Sequence, residues 1–306
     1  MTDELFGIVP PVITPVKSDD SVDEAAFRKV LRYLIDAGVN GVFIGGSAGE
    51  GPLLTMSEWT RMMEIAFDEV GDSVPLLGGA METSTQRVLE KVERLASIGY
   101  RYYVVNPVFY IKQTAPSEHF RLFGTCKEHD KGMELIAYNI PPYSQNEIPV
   151  DALAEMARRG WLRYCKDSAG SLEYLKRLIA AAEGTPLRVL TGDEFKAVES
   201  LRAGAVGIVP VCANYEPATF LQVYQAVKNG DDDAARQATE RILELRDNLP
   251  LAGSCWLSGV KYAMSILGMG SGATIAPIGP LTSEQKAKVE AFVRQPSPLI
   301  STKVSA

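Results

Sequence analysis

A lysine and a tyrosine that could do carbonyl chemistry close two successive apolar runs of the sequence. Lys166 ends the run 162–166 (LRYCK), and Tyr138 ends the preceding run 133–138 (MELIAY). Burial disfavours the charged form of a lysine, and the free amine is a nucleophile for carbonyl carbons. A phenol beside it could relay protons to and from a carbon acid. The alternatives are a lysine paired with Asp167 or another carboxylate, and a tyrosine that only packs in the core or at its rim.

A glycine-rich loop supplies the third candidate element. The run 45–51 reads GGSAGEG, so that Gly46, Ser47 and Ala48 lie in a segment whose backbone N–H groups can converge on an anion. The Ser47 hydroxyl adds a donor. The loop lacks the GK[ST] ending of a P-loop, so a nucleoside triphosphate is not indicated. It predicts a cradle for a carboxylate, and the alternative is a tight turn between a strand and a helix.

Eight short apolar runs must position these residues. Each run is rich in β-branched or aromatic residues, is bounded by Gly, Pro or Asn, and alternates with an amphipathic helical pattern. Eight such units predict an α/β fold, a (β/α)8 TIM barrel, with its chemistry at the carboxyl ends of the strands. A doubly wound open sheet is disfavoured because no GxGxxG follows the first strand. The predicted strands are 7–13, 40–44, 74–77, 101–105, 133–138, 162–166, 187–191 and 205–209.

We expect the barrel to cover residues 1–230 and a helical extension packed on it to cover residues 231–306. After residue 230 the apolar pattern is purely helical, over 231–248, 256–267 and 283–294. Capping-box patterns predict three helix starts, formed by Ser21 with Glu24, Thr83 with Gln86, and Thr282 with Gln285.

The composition argues against several classes of protein. The 306 residues carry a formal net charge of −7, and the basic residues are scattered, which disfavours nucleic acid as a partner. No apolar run could span a bilayer and no signal-peptide pattern opens the chain, so we expect no contact with a membrane. Four separated cysteines and two histidines form no usual zinc or disulfide pattern. We therefore expect no metal site and a reducing, cytoplasmic compartment.

Several motifs together resemble a known family. GGSAGE is followed by LLTMSEW at 53–59, YNIPP lies at 138–142, KDSAG at 166–170, and GDEF with AGAVGIVPVCAN at 192–214. In order and spacing they resemble the dihydrodipicolinate synthase / N-acetylneuraminate lyase family of class I, Schiff-base-forming pyruvate aldolases. The resemblance covers nearly the whole barrel and implies the same TIM barrel fold.

The resemblance implies a role for each candidate residue. Lys166 would form an imine with pyruvate, Tyr138 would shuttle the proton, and Ser47 would join the relay near the pyruvate carboxylate, assisted by the neighbouring backbone amides of Gly46 and Ala48. The carbonyl of Val209 would face the lysine. Such a mechanism needs no cofactor, because the lysine imine is itself the electron sink. Family members are commonly homotetramers in which an aromatic residue of a neighbouring subunit completes the relay, and Phe109 or Tyr110 occupies that segment here.

The same motifs depart from those of a typical dihydrodipicolinate synthase. Ser47 and Ala48 stand where such enzymes carry two threonines, and Tyr143 stands where they carry the arginine that binds the aldehyde's carboxylate. An uncharged residue cannot supply that bidentate clamp. We therefore expect an aldolase or dehydratase for a 2-oxo-3-deoxy sugar acid or a related hydroxylated 2-oxo acid, with Tyr143 and Asn146 near its hydroxyls. The alternatives are dihydrodipicolinate synthase, N-acetylneuraminate lyase, and a barrel that binds a 2-oxo acid without turnover.

Overall fold

The described part of the molecule contains eight strands, and each is followed by at least one helix. The computed structural model describes residues 4–253 and 255–295. Each strand overlaps one of the predicted apolar runs, although the ends differ. The strands are β1 Gly7–Ile8, β2 Val42–Ile44, β3 Leu76–Gly79, β4 Tyr102–Val105, β5 Glu134–Asn139, β6 Tyr164–Asp167, β7 Arg188–Thr191 and β8 Gly207–Ile208.

The strands form one parallel sheet that closes on itself. Their order is β1-β8-β7-β6-β5-β4-β3-β2. Just beyond β1, Pro11 pairs with Phe43 of β2, and the Val12 N–H donates to the Phe43 carbonyl at 2.8 Å. The ladder at β1 is short because Pro10 and Pro11 have no N–H to donate. The predicted (β/α)8 TIM barrel is therefore confirmed.

Helices surround the barrel and continue beyond it. In the described residues they are α1 Glu24–Asp36, α2 Met56–Val70, α3 Thr85–Ile98, α4 Pro116–Glu128, α5 Pro141–Ser144, α6 Val150–Arg158, α7 Leu172–Ala181, α8 Ala197–Arg202, α9 Pro217–Asn229, α10 Asp232–Asn248, α11 Trp256–Ile266 and α12 Ser283–Val293. No helix among them is long and apolar enough to cross a membrane.

The last three helices correspond to those predicted after residue 230. α10 packs against α9 of the barrel, and α12 packs against α11. The end of the predicted extension, residues 296–306, lies outside the described residues. The division of the chain into a barrel of 1–230 and an extension of 231–306 stays a prediction.

Two of the three predicted helix starts are wrong by one or two residues. α1 is capped by Asp23 rather than Ser21, and α3 by Ser84 rather than Thr83. Serine, threonine and aspartate are all good N-caps, so neighbouring candidates cannot be separated by residue type alone. The third start is confirmed, because Thr282 caps α12 in a complete capping box.

Alternate strand residues fill the inside of the barrel. On β5, Ile136 and Tyr138 belong to an inner cluster, whereas Leu135 and Ala137 pack with the surrounding helices. This is the period of two expected of strands that are buried on both faces. The inner cluster consists of Leu5, Val9, Phe43, Leu77, Met81, Tyr102, Val104, Ile136, Tyr138, Ile140, Tyr164, Leu190 and Val209.

Candidate active site

Lys166 and Tyr138 lie side by side at the carboxyl ends of β6 and β5. The two residues are register partners in the parallel ladder. The Lys166 Nζ is 4.1 Å from the centroid of the Tyr138 ring and 5.0 Å from that of Phe43. Lys166 is only 6% exposed and Tyr138 is 3% exposed. The structure thus brings an enclosed amine and a phenol together, as a shared strand-end position predicts.

The next residue on each strand points to the opposite face and stabilises the strand ends. The Asn139 side-chain amide donates to Asp167 Oδ1 at 2.8 Å, and the Ile148 N–H donates to Asn139 Oδ1 at 3.0 Å. Burial raises the pKa of Asp167 to about 6. Among the described residues no carboxylate forms an ion pair with Lys166. The structural alternative, a lysine held by Asp167, is therefore not what the chain adopts.

The glycine-rich loop turns tightly beside these two residues. The Glu50 N–H donates to the Ser47 carbonyl, and the Gly51 N–H donates to the Gly46 carbonyl, both at 3.2 Å. Thr14 donates its hydroxyl to the Gly49 carbonyl at 2.7 Å. A Cβ on Gly46 would lie 2.6 Å from the Phe43 ring, so the close approach requires glycine. Hydrogen bonds and close packing therefore hold the loop against the barrel wall.

A buried ion pair links this loop to the helical extension. Glu50 has a left-handed backbone with φ of 53°, and its side chain pairs with the Lys261 ammonium of α11. Its second oxygen accepts a hydrogen bond from the Ile275 N–H at 2.7 Å. Burial lowers the pKa of Lys261, while the Glu50 carboxylate opposes that shift. The Ser47 loop and the extension are consequently held together by charge in the interior.

The candidate site is a cavity of about 330 Å³ between the strand ends and the extension. On the strand side it is lined by Ser47, Ala48, Tyr138, Lys166 and Val209, which are five of the predicted site residues. Gly46 supports the loop but does not line the cavity. The rest of the wall is largely apolar, and its residues from the extension are Arg246, Pro250, Leu251 and Trp256, which we call the extension wall.

Two carboxylic acids in the cavity were assigned no role from the sequence. Asp193 and Glu194 follow β7 and line the cavity beside Lys166. Glu194 accepts a hydrogen bond from the Cys212 N–H at 2.9 Å, while its Oε1 has no partner within the described residues. Burial raises the pKa of Glu194 to about 7. The sequence could have indicated them, because GDEF directly follows an apolar run, just as Lys166 and Tyr138 each end an apolar run.

A second cavity of about 250 Å³ adjoins the first. Tyr143 and Ser47 line both cavities, and Phe109 lines the second. Tyr143 accepts a hydrogen bond from the Trp256 indole N–H, and burial raises the pKa of the Tyr143 phenol. Tyr110 is 83% exposed, has a positive φ of 79°, and lines neither cavity. Within one chain, the structure brings Phe109 but not Tyr110 towards the site.

Asn146 has a structural task that the sequence did not reveal. Its amide nitrogen donates to the carbonyls of Val108, Ile111 and Ser144, and its oxygen accepts from the Gln113 N–H. All these partners are backbone groups, so the side chain holds the loop 108–113. The expectation that Asn146 binds substrate hydroxyls is therefore wrong, whereas Tyr143 does reach the cavity.

The chain is similar to known proteins over nearly its full length. The model of the dihydrodipicolinate synthetase family matches residues 4–296. An uncharacterized DapA-like lyase of Halobacterium salinarum is 32% identical over 289 residues, which cover 94% of this chain and 92% of the relative. A 4-hydroxy-tetrahydrodipicolinate synthase of Acidiphilium cryptum is 30% identical over 287 residues, covering 93% of this chain and 96% of the relative.

The fold is also found among solved structures. YagE, a prophage protein of the dihydrodipicolinic acid synthase family from E. coli K12 solved in complex with pyruvate, has a TM-score of 0.89 and is 23% identical, covering 94% of this chain and 97% of that chain. At that identity the likeness supports the fold alone, and the family model carries the assignment. The chain belongs to the dihydrodipicolinate synthetase family of lyases.

Proposed function

We propose that the protein forms a Schiff base between Lys166 and a 2-oxo acid, and that it is an aldolase or dehydratase for a 2-oxo-3-deoxy sugar acid or a related hydroxylated 2-oxo acid. The observation that carries this proposal is the enclosed Lys166 amine, 4.1 Å from the Tyr138 ring centroid on the wall of a cavity of about 330 Å³. YagE, which has the same fold, was solved in complex with pyruvate, and the proposal assigns a ligand of that class to this chain.

In the proposed reaction the Lys166 amine attacks the 2-oxo carbon, and loss of water leaves an imine. The C3–C4 bond of the sugar acid then breaks, its electron pair moves into the imine, and Tyr138 takes the proton of the C4 hydroxyl as an aldehyde leaves. Protonation of C3 and hydrolysis of the imine release pyruvate and restore the amine. In a dehydratase the same imine lets C3 lose a proton and C4 lose its hydroxyl as water. The route draws on no cofactor or metal.

The glycine-rich loop is the proposed site of the 2-oxo acid's carboxylate. Ser47 and Ala48 line the cavity that contains Lys166, and Gly46 lies just before them. A hydroxyl and backbone amides of a tight loop suit a carboxylate because they donate without a competing charge. Val209, at the end of β8, borders the same space, and its carbonyl is proposed to face the lysine.

Hydroxyl groups further along the substrate have candidate partners in the same cavity. Asp193, Glu194, Ser168 and Tyr143 line it, and all four side chains can hydrogen-bond to hydroxyls. This set supports a hydroxylated substrate over plain pyruvate.

Two other enzyme activities of the family are the alternatives. The name of the Acidiphilium relative favours dihydrodipicolinate synthase, which joins pyruvate to aspartate semialdehyde, and N-acetylneuraminate lyase is the second. Tyr143 carries no charge for the carboxylate of aspartate semialdehyde, which disfavours the first. A barrel that binds a 2-oxo acid without turnover is the alternative outside enzymes.

We also propose that the protein works as a homotetramer. Leu53, Tyr110 and Ile111 are large apolar residues exposed in the single chain, and Leu53 lines the second cavity with Phe109. A neighbouring copy that covers them would bury this surface and bring its own loop 108–113 towards the site. Phe109 has no hydroxyl, so Tyr110 is the residue of this segment able to carry a proton.

The first test is a covalent trap. The protein is incubated with pyruvate and borohydride, and the reduced adduct is mapped by peptide mass spectrometry. We expect an adduct on Lys166, and none with Lys166→Ala, which should fold normally because its side chain makes no ion pair in the described structure. Lys196→Ala is the matched control, since Lys196 pairs with Asp193 at 3.1 Å outside the imine position. An adduct on another lysine, or turnover by the Lys166→Ala variant, would contradict the proposal.

A further inference from the structure

Arg246 is an arginine in the wall of the candidate site. It lies in the last turn of α10, and among the described lining residues it is the only guanidinium. Its side chain is 36% exposed, whereas Lys166 is buried. Arg246 therefore lies nearer the solvent, and Lys166 lies deeper in the barrel mouth.

Two neighbouring residues orient the Arg246 guanidinium and use only part of its hydrogen-bonding capacity. Its Nε donates to Asp247 Oδ1 at 2.7 Å, and its carbon lies 5.7 Å from the centroid of the Phe195 ring. Nη1 and Nη2 have no hydrogen-bond partner within residues 4–253 and 255–295. The two Nη groups of a guanidinium form a planar edge that matches both oxygens of a carboxylate or phosphate. That edge is available while Asp247 and Phe195 hold the side chain in place.

The acidic residues of the cavity do not take up this edge. Asp193 pairs with Lys196 at 3.1 Å. Glu194 faces the Cys212 N–H, and burial disfavours its charged form. The remaining residues of the extension wall, Pro250, Leu251 and Trp256, are apolar or offer only a donor. Neither Asp193 nor Glu194 hydrogen-bonds to the Nη groups of Arg246, so within the described residues this edge is open to an anion.

We propose that Arg246 binds an anionic group at the end of the substrate remote from the 2-oxo acid. This deepens the proposed function and rests on it. The substrate class is then a 2-oxo-3-deoxy acid that ends in a carboxylate or a phosphate ester rather than in a hydroxymethyl group. The deep Lys166 holds the 2-oxo end, and the more exposed Arg246 selects the other end, so Arg246 is a specificity-determining residue.

The test compares three six-carbon substrates that differ only at the terminal carbon. They are 2-oxo-3-deoxygluconate, its 6-phosphate, and the acid with a carboxylate in place of the terminal CH2OH, and the rate at which each is consumed, by cleavage or by dehydration, is measured. We expect kcat/KM to be about tenfold higher for at least one anionic substrate, mainly through KM, since a charge-assisted hydrogen bond at a partly exposed site is worth about that factor. Comparing the two anionic arms distinguishes carboxylate from phosphate.

The variant Arg246→Met should remove the preference, so that the ratio of kcat/KM between anionic and neutral substrates falls to about one. Arg246→Lys should keep part of it, because the charge remains without the planar fork. Arg236→Met on the same helix is the matched control, since Arg236 makes exposed ion pairs and does not line the cavity. A general loss of folded protein would lower all three rates equally and would not change their ratio. A wild-type ratio in Arg246→Met would therefore count against the role of Arg246.

The outcomes separate the two levels of the proposal. Turnover without a preference for anionic ends, or a preference that survives in Arg246→Met, overturns the role of Arg246 and leaves the lyase intact. Absence of turnover of all three substrates overturns the role of Arg246, and absence of a borohydride adduct on Lys166 as well overturns the lyase with it.

Discussion

At the residue scale, the candidate site places two ionisable groups in very different surroundings. The Lys166 amine lies over the faces of Tyr138 and Phe43, which attract a cation through the negative charge of their π faces. Glu194 is buried with one oxygen bonded to a backbone N–H and the other without a partner in the described residues. A buried carboxylate so placed is destabilised by desolvation and holds its proton to higher pH.

Glu194 therefore makes the stability of the fold depend on pH. Burial raises its pKa from 4.5 to about 7, so between these values the folded protein binds a proton that the unfolded chain releases. This contribution is complete below pH 4.5 and is lost as the pH rises to about 7. Glu194→Gln should remove the effect and be more stable than the wild type at pH 8 by up to about 3 kcal/mol.

Urea unfolding at pH 5 and pH 8 tests this prediction. Most of the difference between Glu194→Gln and the wild type should disappear at pH 5, since the wild-type carboxyl is then largely protonated in the fold. Glu183→Gln on the exposed surface serves as the control and should show no such difference. An equal effect at both pH values would mean that the titration of Glu194 is not its cause.

At the scale of elements, Glu50 and Lys261 connect the loop after β2 to α11. Both side chains are about 2% exposed, and Glu50 is also bonded to the Ile275 N–H. Removing one partner of a buried pair leaves an uncompensated charge in the interior, which costs more than removing both. The anchoring of Ser47 thus depends on an element that is remote in the sequence.

Lys261→Met should lower the free energy of unfolding by about 3–5 kcal/mol, because it leaves the Glu50 carboxylate buried without a cation. The double variant Glu50→Gln/Lys261→Met should be more stable than Lys261→Met alone. Urea unfolding followed by circular dichroism measures both. Arg294→Met is the control, since it breaks an exposed pair with Glu290 and should cost less than about 1 kcal/mol. Glu50→Gln is the second single variant, and additive effects of the two single substitutions would show that the pair is not coupled.

The elements also show how far sequence reasoning reaches. Strands buried on both faces leave continuous apolar runs, so all eight were located, and Lys166 and Tyr138 followed from their places at strand ends. Glu194 was missed as a site residue although GDEF directly follows an apolar run, and its hydrogen bond from the Cys212 N–H, 18 residues away, has no local signal. Arg246 was missed because it reaches the cavity only through the docking of α10, which a local pattern does not encode. The predicted caps Ser21 and Thr83 were wrong because Asp23 and Ser84, two residues and one residue further on, are equally good caps.

At the scale of the whole molecule, the single chain leaves an apolar surface beside its site. Leu53, Tyr110 and Ile111 are 43%, 83% and 59% exposed. Asn146 donates to the Val108 and Ile111 carbonyls of the loop that presents Tyr110 and Ile111, which fixes the backbone at both sides of Tyr110. An exposed apolar surface next to a cavity fits the proposed contact with a second copy.

Sedimentation should show an assembly of four copies of the 33.3 kDa chain. Tyr110→Asp combined with Ile111→Asp should dissociate it into smaller species, because the contact would then bury two carboxylates. Aspartate tolerates the positive φ of 79° at residue 110, so the fold should persist. Ile266→Asp, at an exposed apolar position on α11, is the control. An unchanged sedimentation coefficient in the double variant would place the interface elsewhere.

The ion pair of Glu50 with Lys261 has a consequence for the order in which the molecule is completed. The two residues are 211 positions apart, so at ordinary rates of synthesis Lys261 emerges roughly 10–40 s after Glu50. Until then the Glu50 carboxylate, in the loop that contains Ser47, has no Lys261 ammonium to pair with. A chain released before residue 261 would keep Lys166, Tyr138 and Ser47 yet lack the anchor of its glycine-rich loop. The candidate site is therefore completed late in synthesis, although Lys166 and Tyr138 lie near the middle of the sequence.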